Sequence, residues 1–396
     1  MKQKNAAGLC VAFDGRRALH NPTGLGNYSR YTIEALSRFF KNDRFLVLGA
    51  GRVDPVFTQM LERCPNVEFS GPQGAVWKHW SSMWRSSAIG RQAAAMGADI
   101  YHGLSHEVPF IAGSAPLATV VTMHDLIWHK FPQDFHAIDH HIYSYKYGRS
   151  ARLADRVIAI SECTRRDVIE ILGVPEEKVD VIYQGVDPAF RPASTEAVAD
   201  VRGRYGLPER YVACVGTVQW RKNHLLAVQA LRQLPQDVKL VVVGRRTDYA
   251  RTVDRYIDRH HLADRVIRLE GLPFADLPPL YTGAAVSVYP SRYEGFGLPV
   301  VESLACGTPV VAATGSCLEE AGGEGALYVG PDDADACGDA LNRIIDSTFL
   351  HDKLVDRGQL HIRKFNMDDY ARRTMQTYTK AILSHNLSPS IYHLSK

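Results

Sequence analysis

Short apolar runs alternate with helix-periodic stretches along this chain, and that alternation restricts the fold more than any other feature. Residues 9–13, 45–48, 99–102, 118–122 and 157–160 read as strands in the first half. Residues 211–215, 239–243, 266–269, 286–289 and 309–312 read as strands in the second. The stretches between them, such as 27–40 and 225–234, carry apolar residues at helical spacing. Alternating strand and helix predicts parallel sheets covered on both faces. Two such runs predict an α/β protein of two doubly wound, Rossmann-like domains, with ligand at the carboxyl ends of the strands. The 396 residues, 45% hydrophobic and 22% charged, are enough for two cores. A turn cluster, Gly185-Val186-Asp187-Pro188-Ala189-Phe190-Arg191-Pro192, places the boundary near 188. The domains expected are therefore 1–188 and 189–367, followed by a helical pattern from Asp368 to about Ser384.

Charge and cysteine usage exclude several classes. The net charge of +3 is too weak to argue for nucleic acid. No apolar run approaches the ~20 residues of a membrane span. Met1-Lys2-Gln3-Lys4-Asn5 leads into no signal-peptide core. The seven cysteines are dispersed without a C-x-x-C pair, which fits a reduced cytoplasm better than a disulfide framework or a zinc site.

Residues 289–313 hold the densest chemistry: Y-P-S-R-Y-E-G-F-G-L-P-V-V-E-S-L-A-C-G-T-P-V-V-A-A. A strand stops at Pro290, and Gly295 and Gly297 are expected to turn the backbone with positive φ. Pro299 suits the first helical position and Gly307 the left-handed position past the helix end. Free N–H groups at that helix start favour an anion. Glu294 lies in the loop and Glu302 in the expected first turn. Carboxylates there suit hydroxyls, such as those of a ribose and a sugar.

Other constellations leave two readings open. Arg221 and Lys222, in V-G-T-V-Q-W-R-K-N-H, are either a phosphate clamp or a solvated pair capping a loop. Gly24 and Gly26 precede a helix expected from Asn27, as a phosphate loop or an ordinary one. His124 falls at a strand end, facing ligand or satisfied locally by backbone or Asp125. Ser161 with Thr164 reads as a helix cap. Asp333 and Asp335 have the spacing of a metal–diphosphate motif, but charge at a helix start explains them, and no metal site is expected. Trp77, Trp80 and Trp84, with Lys78, Arg85 and Arg91, fall at helical spacing. That stripe is a membrane-surface face, a core face or an acceptor groove.

Taken together, these motifs resemble the retaining glycosyltransferases of family 4, over nearly the whole chain. The strongest element is E-x7-E, Glu294 to Glu302, within R-Y-E-G-F-G-L-P-V-V-E-S-L-A-C-G-T-P-V-V. Supporting elements are G-T-V-Q-W-R-K-N-H, T-M-H-D-L-I-W, I-Y-H-G, A-D-R-V-I-A-I-S-E-C-T-R-R-D, V-I-Y-Q-G-V-D and L-P-P-L-Y-T-G-A. The resemblance implies the GT-B fold, two such domains facing each other across a crevice. It also implies a C-terminal helix, 368–386, crossing back to the first domain. Arg221 and Lys222 would neutralise the donor diphosphate, and Glu294 would bond the donor sugar. The backbone of Gly295, Phe296, Gly297 and Leu298 would bond sugar and phosphate, and Glu302 the ribose. His124 would sit near the C6 hydroxyl, Gly24 and Gly26 near the phosphates, and Tyr101-His102-Gly103 toward the acceptor. Where some members carry arginine, this chain has Thr217, so more charge falls on Arg221 and Lys222. Phe365-Asn366-Met367 replaces a frequent F-S-W.

The function expected is a cytoplasmic, metal-independent hexosyltransferase without cofactor. Trp77, Trp80 and Trp84 would be available for peripheral contact with the membrane's inner face. Its partners would be a nucleotide sugar and a glycan or lipid-linked acceptor, with no nucleic acid. The T-M-H-D-L-I-W and R-K-N forms resemble bacterial polysaccharide mannosyltransferases, which implies GDP-mannose. The alternatives are a UDP-glucose or other UDP-hexose donor, a nucleotide-sugar epimerase on the same scaffold, or a non-catalytic sugar-binding protein.

Overall fold

The computed structural model of the chain describes residues 8–21, 24–74, 77, 80–110 and 117–387. They form two compact units, one of the described residues up to 184 with 367–387 and one of residues 185–366.

The first unit holds seven strands: β1 Cys10–Asp14, β2 Arg44–Leu48, β3 Val67–Ser70, β4 Ile100–Gly103, β5 Ala118–Met123, β6 Arg156–Ala159 and β7 Val179–Val181. Their order is β3-β2-β1-β4-β5-β6-β7, every pair parallel. The second unit holds β8 Tyr211–Val215, β9 Lys239–Val243, β10 Val266–Leu269, β11 Val286–Tyr289, β12 Val310–Ala313 and β13 Ala326–Val329. Their order is β10-β9-β8-β11-β12-β13, again all parallel. The two Rossmann-like sheets are those the alternation predicts. Each order reverses direction beside its first strand, and ligands of such sheets bind at that switch point.

The near-continuous apolar strands follow from burial on both faces. In the second sheet, Val212, Cys214, Leu240 and Val242 enter one core with the helices Ala250–Arg259 and Ala334–Ile345. Their alternates, Tyr211, Ala213, Val241 and Val243, enter another with Val201 and Leu280. In the first sheet, Ala12, Leu46 and Tyr101 share a core with Trp84 and Ile89.

Three strands escape the sequence reading: β3, β7 and β13. All are sheet edges. β3 reads V-E-F-S and β7 only V-D-V, so each carries polar residues that a half-covered edge tolerates.

The C-terminal helix Met367–Leu387 belongs to the first unit. Tyr370 OH lies 2.6 Å from Thr32 Oγ1 and 3.0 Å from Tyr28 OH. Tyr28 OH continues at 3.1 Å to Thr122 Oγ1, which lies 2.9 Å from His102 Nε2. His102 Nδ1 returns to the helix at Tyr378 OH, 2.7 Å away. At the rim, Lys380 Nζ reaches Asp180 Oδ1 at 2.7 Å. The seven cysteines are all buried and free. No helix among the described residues is long and apolar enough to cross a membrane.

Candidate functional site

In the second unit, the loops leaving β8 and β11 are stitched together. Gly216 ends β8 at φ +150°, and a Cβ there would lie 3.1 Å from Lys222 Cδ. Trp220–Lys222 make a single 3-10 turn, and Asn223 follows in the left-handed region at φ +56°. Asn223 Nδ2 donates to the carbonyls of Pro290 at 3.2 Å and Pro331 at 2.6 Å, tying this turn to the ends of β11 and β13. The Arg221 carbonyl accepts the Arg292 N–H at 2.8 Å and the Ser291 hydroxyl at 3.1 Å.

That stitching brings four donors onto one oxygen. Glu294 Oε1 lies 2.8 Å from Lys222 Nζ, 2.9 Å from Arg221 Nη1, 2.7 Å from Ser291 Oγ and 3.1 Å from Tyr289 OH. Lys222 Nζ also donates to Tyr289 OH at 2.5 Å and sits 5.1 Å from the centre of that ring. Burial alone would raise the Glu294 carboxyl. The charges of Lys222 and Arg221 and the hydrogen bonds of Lys222 and Ser291 overcome it and hold the group at about 2. The basic pair is therefore neither solvated nor merely a loop cap: Arg221 is buried and Lys222 half-buried, both against one carboxylate. Two cations against one anion leave the cluster positive.

Several local expectations need correction. Of Gly295 and Gly297, only Gly297 takes a positive φ, +100°. A Cβ there would also lie 2.6 Å from Leu318 Cδ2. The helix is Leu298–Ala305, so Pro299 is its second residue and Glu302 falls in its second turn, not its first. Glu302 does not join Glu294. It accepts the Tyr281 hydroxyl at 3.4 Å, and burial, with the Asp187 charge adding, pushes it up to about 7. Gly307 takes φ +79° just past the helix end, as expected. Phe296 is buried edge-on against Phe365 at 5.1 Å, while Leu298 and Thr217 stay half-buried.

In the first unit, His124 follows β5 and is buried. Its Nε2 lies 2.8 Å from the Leu104 carbonyl, so it carries the proton and donates. The backbone N–H of His124 donates to His106 Nε2 at 3.1 Å. Burial first, then the neighbouring His106, lowers His124 to about 3, so the ring is neutral. Gly24 and Gly26 are not a loop ahead of a helix at Asn27; they open the helix Gly24–Phe39. Gly26 is needed for packing, since a Cβ would stand 1.7 Å from the Asn21 carbonyl oxygen, whereas Gly24 has nothing within 4 Å. Tyr101 lines a concavity beside Asp14, while His102 points into the hydrogen-bond chain to Tyr378.

The tryptophan stripe is not one face. Trp84 is only 2% exposed and donates to Gln92 Oε1 at 2.9 Å, inside the core. Trp77 packs half-buried on that same core, and Trp80 is 57% exposed. Trp80 lies outside helical geometry, at φ −105° and ψ +51° ahead of the short helix Ser81–Met83, and a π-helical turn, Trp84–Ala88, follows. Arg85 faces Asp14 at 3.3 Å and Glu107 at 3.0 Å, while Lys78 lies outside the described residues. Ser161 caps the helix Glu162–Leu172 through the Thr164 N–H at 3.0 Å. Asp333 caps Ala334–Ile345 through the Ala336 N–H at 2.9 Å.

Tyr289, Ser291, Tyr281 and Asn223 complete these clusters and were not singled out from sequence. Tyr289 and Ser291 lie within the motif itself, at a strand end where polar groups face the switch point. Asn223 carries the weaker signal of an asparagine directly after a basic pair.

Residues 22–190 match the family described as Glycosyltransferase Family 4, and residues 202–361 match Glycosyl transferases group 1. The chain is 27% identical over 285 residues to O-antigen chain mannosyltransferase B of Escherichia coli, covering 70% of this chain and 74% of that one. It is 28% identical over 239 residues to O-antigen chain mannosyltransferase RfbU of Salmonella typhimurium, covering 60% and 63%. Among solved structures, Anabaena HepE in complex with UDP and glucose aligns with a TM-score of 0.74 at 21% identity, over 94% of this chain and 99% of that one.

Proposed function

The chain belongs to family 4 of the retaining glycosyltransferases, with the GT-B fold, and on that premise we propose that it moves a mannosyl group from GDP-mannose to a hydroxyl of a glycan or lipid-linked glycan. The observation that carries the site assignment is the cluster of Arg221, Lys222 and Glu294 at the joined ends of β8 and β11. Its surplus positive charge suits a diphosphate, and its buried carboxylate suits sugar hydroxyls. The two mannosyltransferase relatives support the mannosyl donor.

In this reading Arg221 and Lys222 turn toward the donor diphosphate and stabilise the negative charge that grows as the glycosidic bond to phosphate breaks. Glu294, relieved of part of its cation contact, accepts hydroxyl hydrogens of the sugar and fixes its orientation. The acceptor oxygen attacks from the face the diphosphate leaves, and its proton passes to the departing phosphate oxygen. Attack on that same face retains the anomeric configuration without a side-chain nucleophile. Tyr289 keeps Lys222 and Glu294 in register through its hydroxyl. His124, neutral, offers a hydrogen-bonding edge to the sugar. Glu302 accepts ribose hydroxyls.

A second reading, UDP-glucose as donor, is favoured by the UDP and glucose bound in HepE. Transfer assays with GDP-mannose and UDP-glucose decide between them. Product from GDP-mannose alone supports the first, and product from UDP-glucose alone overturns it. Release of sugar epimerised at a ring carbon, without acceptor, would overturn both.

A further inference from the structure

Resting on the transferase reading, we infer that Arg292 is a positioning residue of the donor site. It holds the turn 220–223 so that Arg221 and Lys222 meet one diphosphate together.

Arg292 grips that turn at three points. Its backbone N–H donates to the Arg221 carbonyl at 2.8 Å. Its guanidinium lies over the ring of Trp220, the residue before the basic pair, with Cζ 4.9 Å from the ring centre. Its Nη2 reaches Oδ1 of Asn223, the residue after the pair, at 3.5 Å. The other terminal nitrogen, Nη1, pairs with Asp332 Oδ1 at 2.6 Å, beyond the end of β13. The neighbouring Pro331 carbonyl already accepts from Asn223 Nδ2. Arg292 also stands two residues before Glu294. The loop that supplies the carboxylate therefore holds the cations set against it.

The turn has little support of its own. The Lys222 N–H donates to the Gln219 carbonyl at 3.1 Å, and the Asn223 N–H is shared between Gln219 at 3.3 Å and Trp220 at 3.1 Å. Bonds of a 3-10 turn have poorer geometry than those of an α-helix. Arg221 and Lys222 are adjacent, yet both reach Glu294 Oε1, so a rotation of the turn displaces both. Displacing a positioned group by ~1 Å can cost about a hundredfold in rate.

The holds on the side chain differ in kind. Asp332 is 78% exposed, so its pair with Arg292 is screened by solvent. The stack on Trp220 and the reach to Asn223 use the flat, forked guanidinium, whereas an ammonium is a compact point charge. Lysine at 292 would keep the charge and lose the stack and the fork. That separates holding the turn from merely adding a third positive charge near an anion.

Calorimetric titrations compare the diphosphate that binds, GDP or UDP, with its monophosphate. Wild type, Arg292→Lys and Trp220→Leu are used, each checked by melting temperature. Arg292→Lys should weaken the diphosphate about fivefold or more and the monophosphate far less, so the ratio of the two affinities falls. Trp220→Leu, which removes the ring and no charge, should lower the same ratio. With Lys222→Ala already in place, Arg292→Lys should lose most of its effect, because one of the groups it positions is gone. An unchanged ratio in Arg292→Lys overturns the inference: parallel loss of both nucleotides would mean general loosening, and full affinity an idle side chain. An undiminished effect in the Lys222→Ala background also overturns it. If neither diphosphate binds the wild type, the donor-site reading itself falls, and this assignment with it.

Discussion

One oxygen of Glu294 gathers Lys222, Arg221, Ser291 and Tyr289, and the carboxyl sits at about 2 as a result. A folded-state value below the ordinary 4.5 contributes stability above pH 4.5 that is lost as pH falls toward 2. The stability difference between wild type and Glu294→Gln should therefore shrink over that window in urea melts; a constant difference would contradict the ion-pair account. Glu302 behaves oppositely. Its value near 7 lies above 4.5, so proton uptake favours the folded state, and Glu302 lowers stability as pH rises from 4.5 to 7. If it accepts ribose hydroxyls, nucleotide affinity should rise as pH passes through 7, and Glu302→Gln should flatten that rise. An unchanged pH profile in the variant would remove Glu302 from the donor site. The motif exposed both glutamates to a reader of the sequence, yet not their separation. Spacing of eight residues says nothing about Tyr281, which comes from the preceding helix Leu277–Thr282 and turns Glu302 aside.

At the scale of elements, the helix Met367–Leu387 returns to the first unit through hydroxyls rather than apolar contact alone. Tyr370→Phe strips a buried hydroxyl bonded to Thr32 and Tyr28, and should cost about 1–2 kcal/mol. Thermal melts measure that loss, with nucleotide affinity expected to hold; no loss would mean that the chain of hydroxyls is idle. Gly26→Ala should destabilise more, because its Cβ meets the Asn21 carbonyl at 1.7 Å, while Gly24→Ala should be tolerated. Strand and helix alternation was legible wherever strands are buried on both faces, because those runs are continuously apolar. The edges β3 and β7 were not, since one open side admits Glu68 and Asp180. The tryptophan spacing assumes one regular helix, but Trp80 stands outside helical geometry ahead of the short helix Ser81–Met83, so the three rings do not share a face.

Across the whole molecule, the chain builds one parallel sheet, then a second, and sends its last helix back to the first unit. Each sheet carries its own polar cluster at strand ends. In the second unit that is Arg221, Lys222 and Glu294; in the first it is Asp14, Glu107 and Arg85. The central claim is that the Arg221–Lys222–Glu294 cluster receives a nucleotide diphosphate. Calorimetric titration of GDP and UDP into wild type and Lys222→Ala tests it most directly. One nucleotide should bind the wild type, and Lys222→Ala, still folded by its melting curve, should weaken it at least about tenfold, some 1.4 kcal/mol. Wild-type affinity in Lys222→Ala, or no binding of either nucleotide, would contradict it.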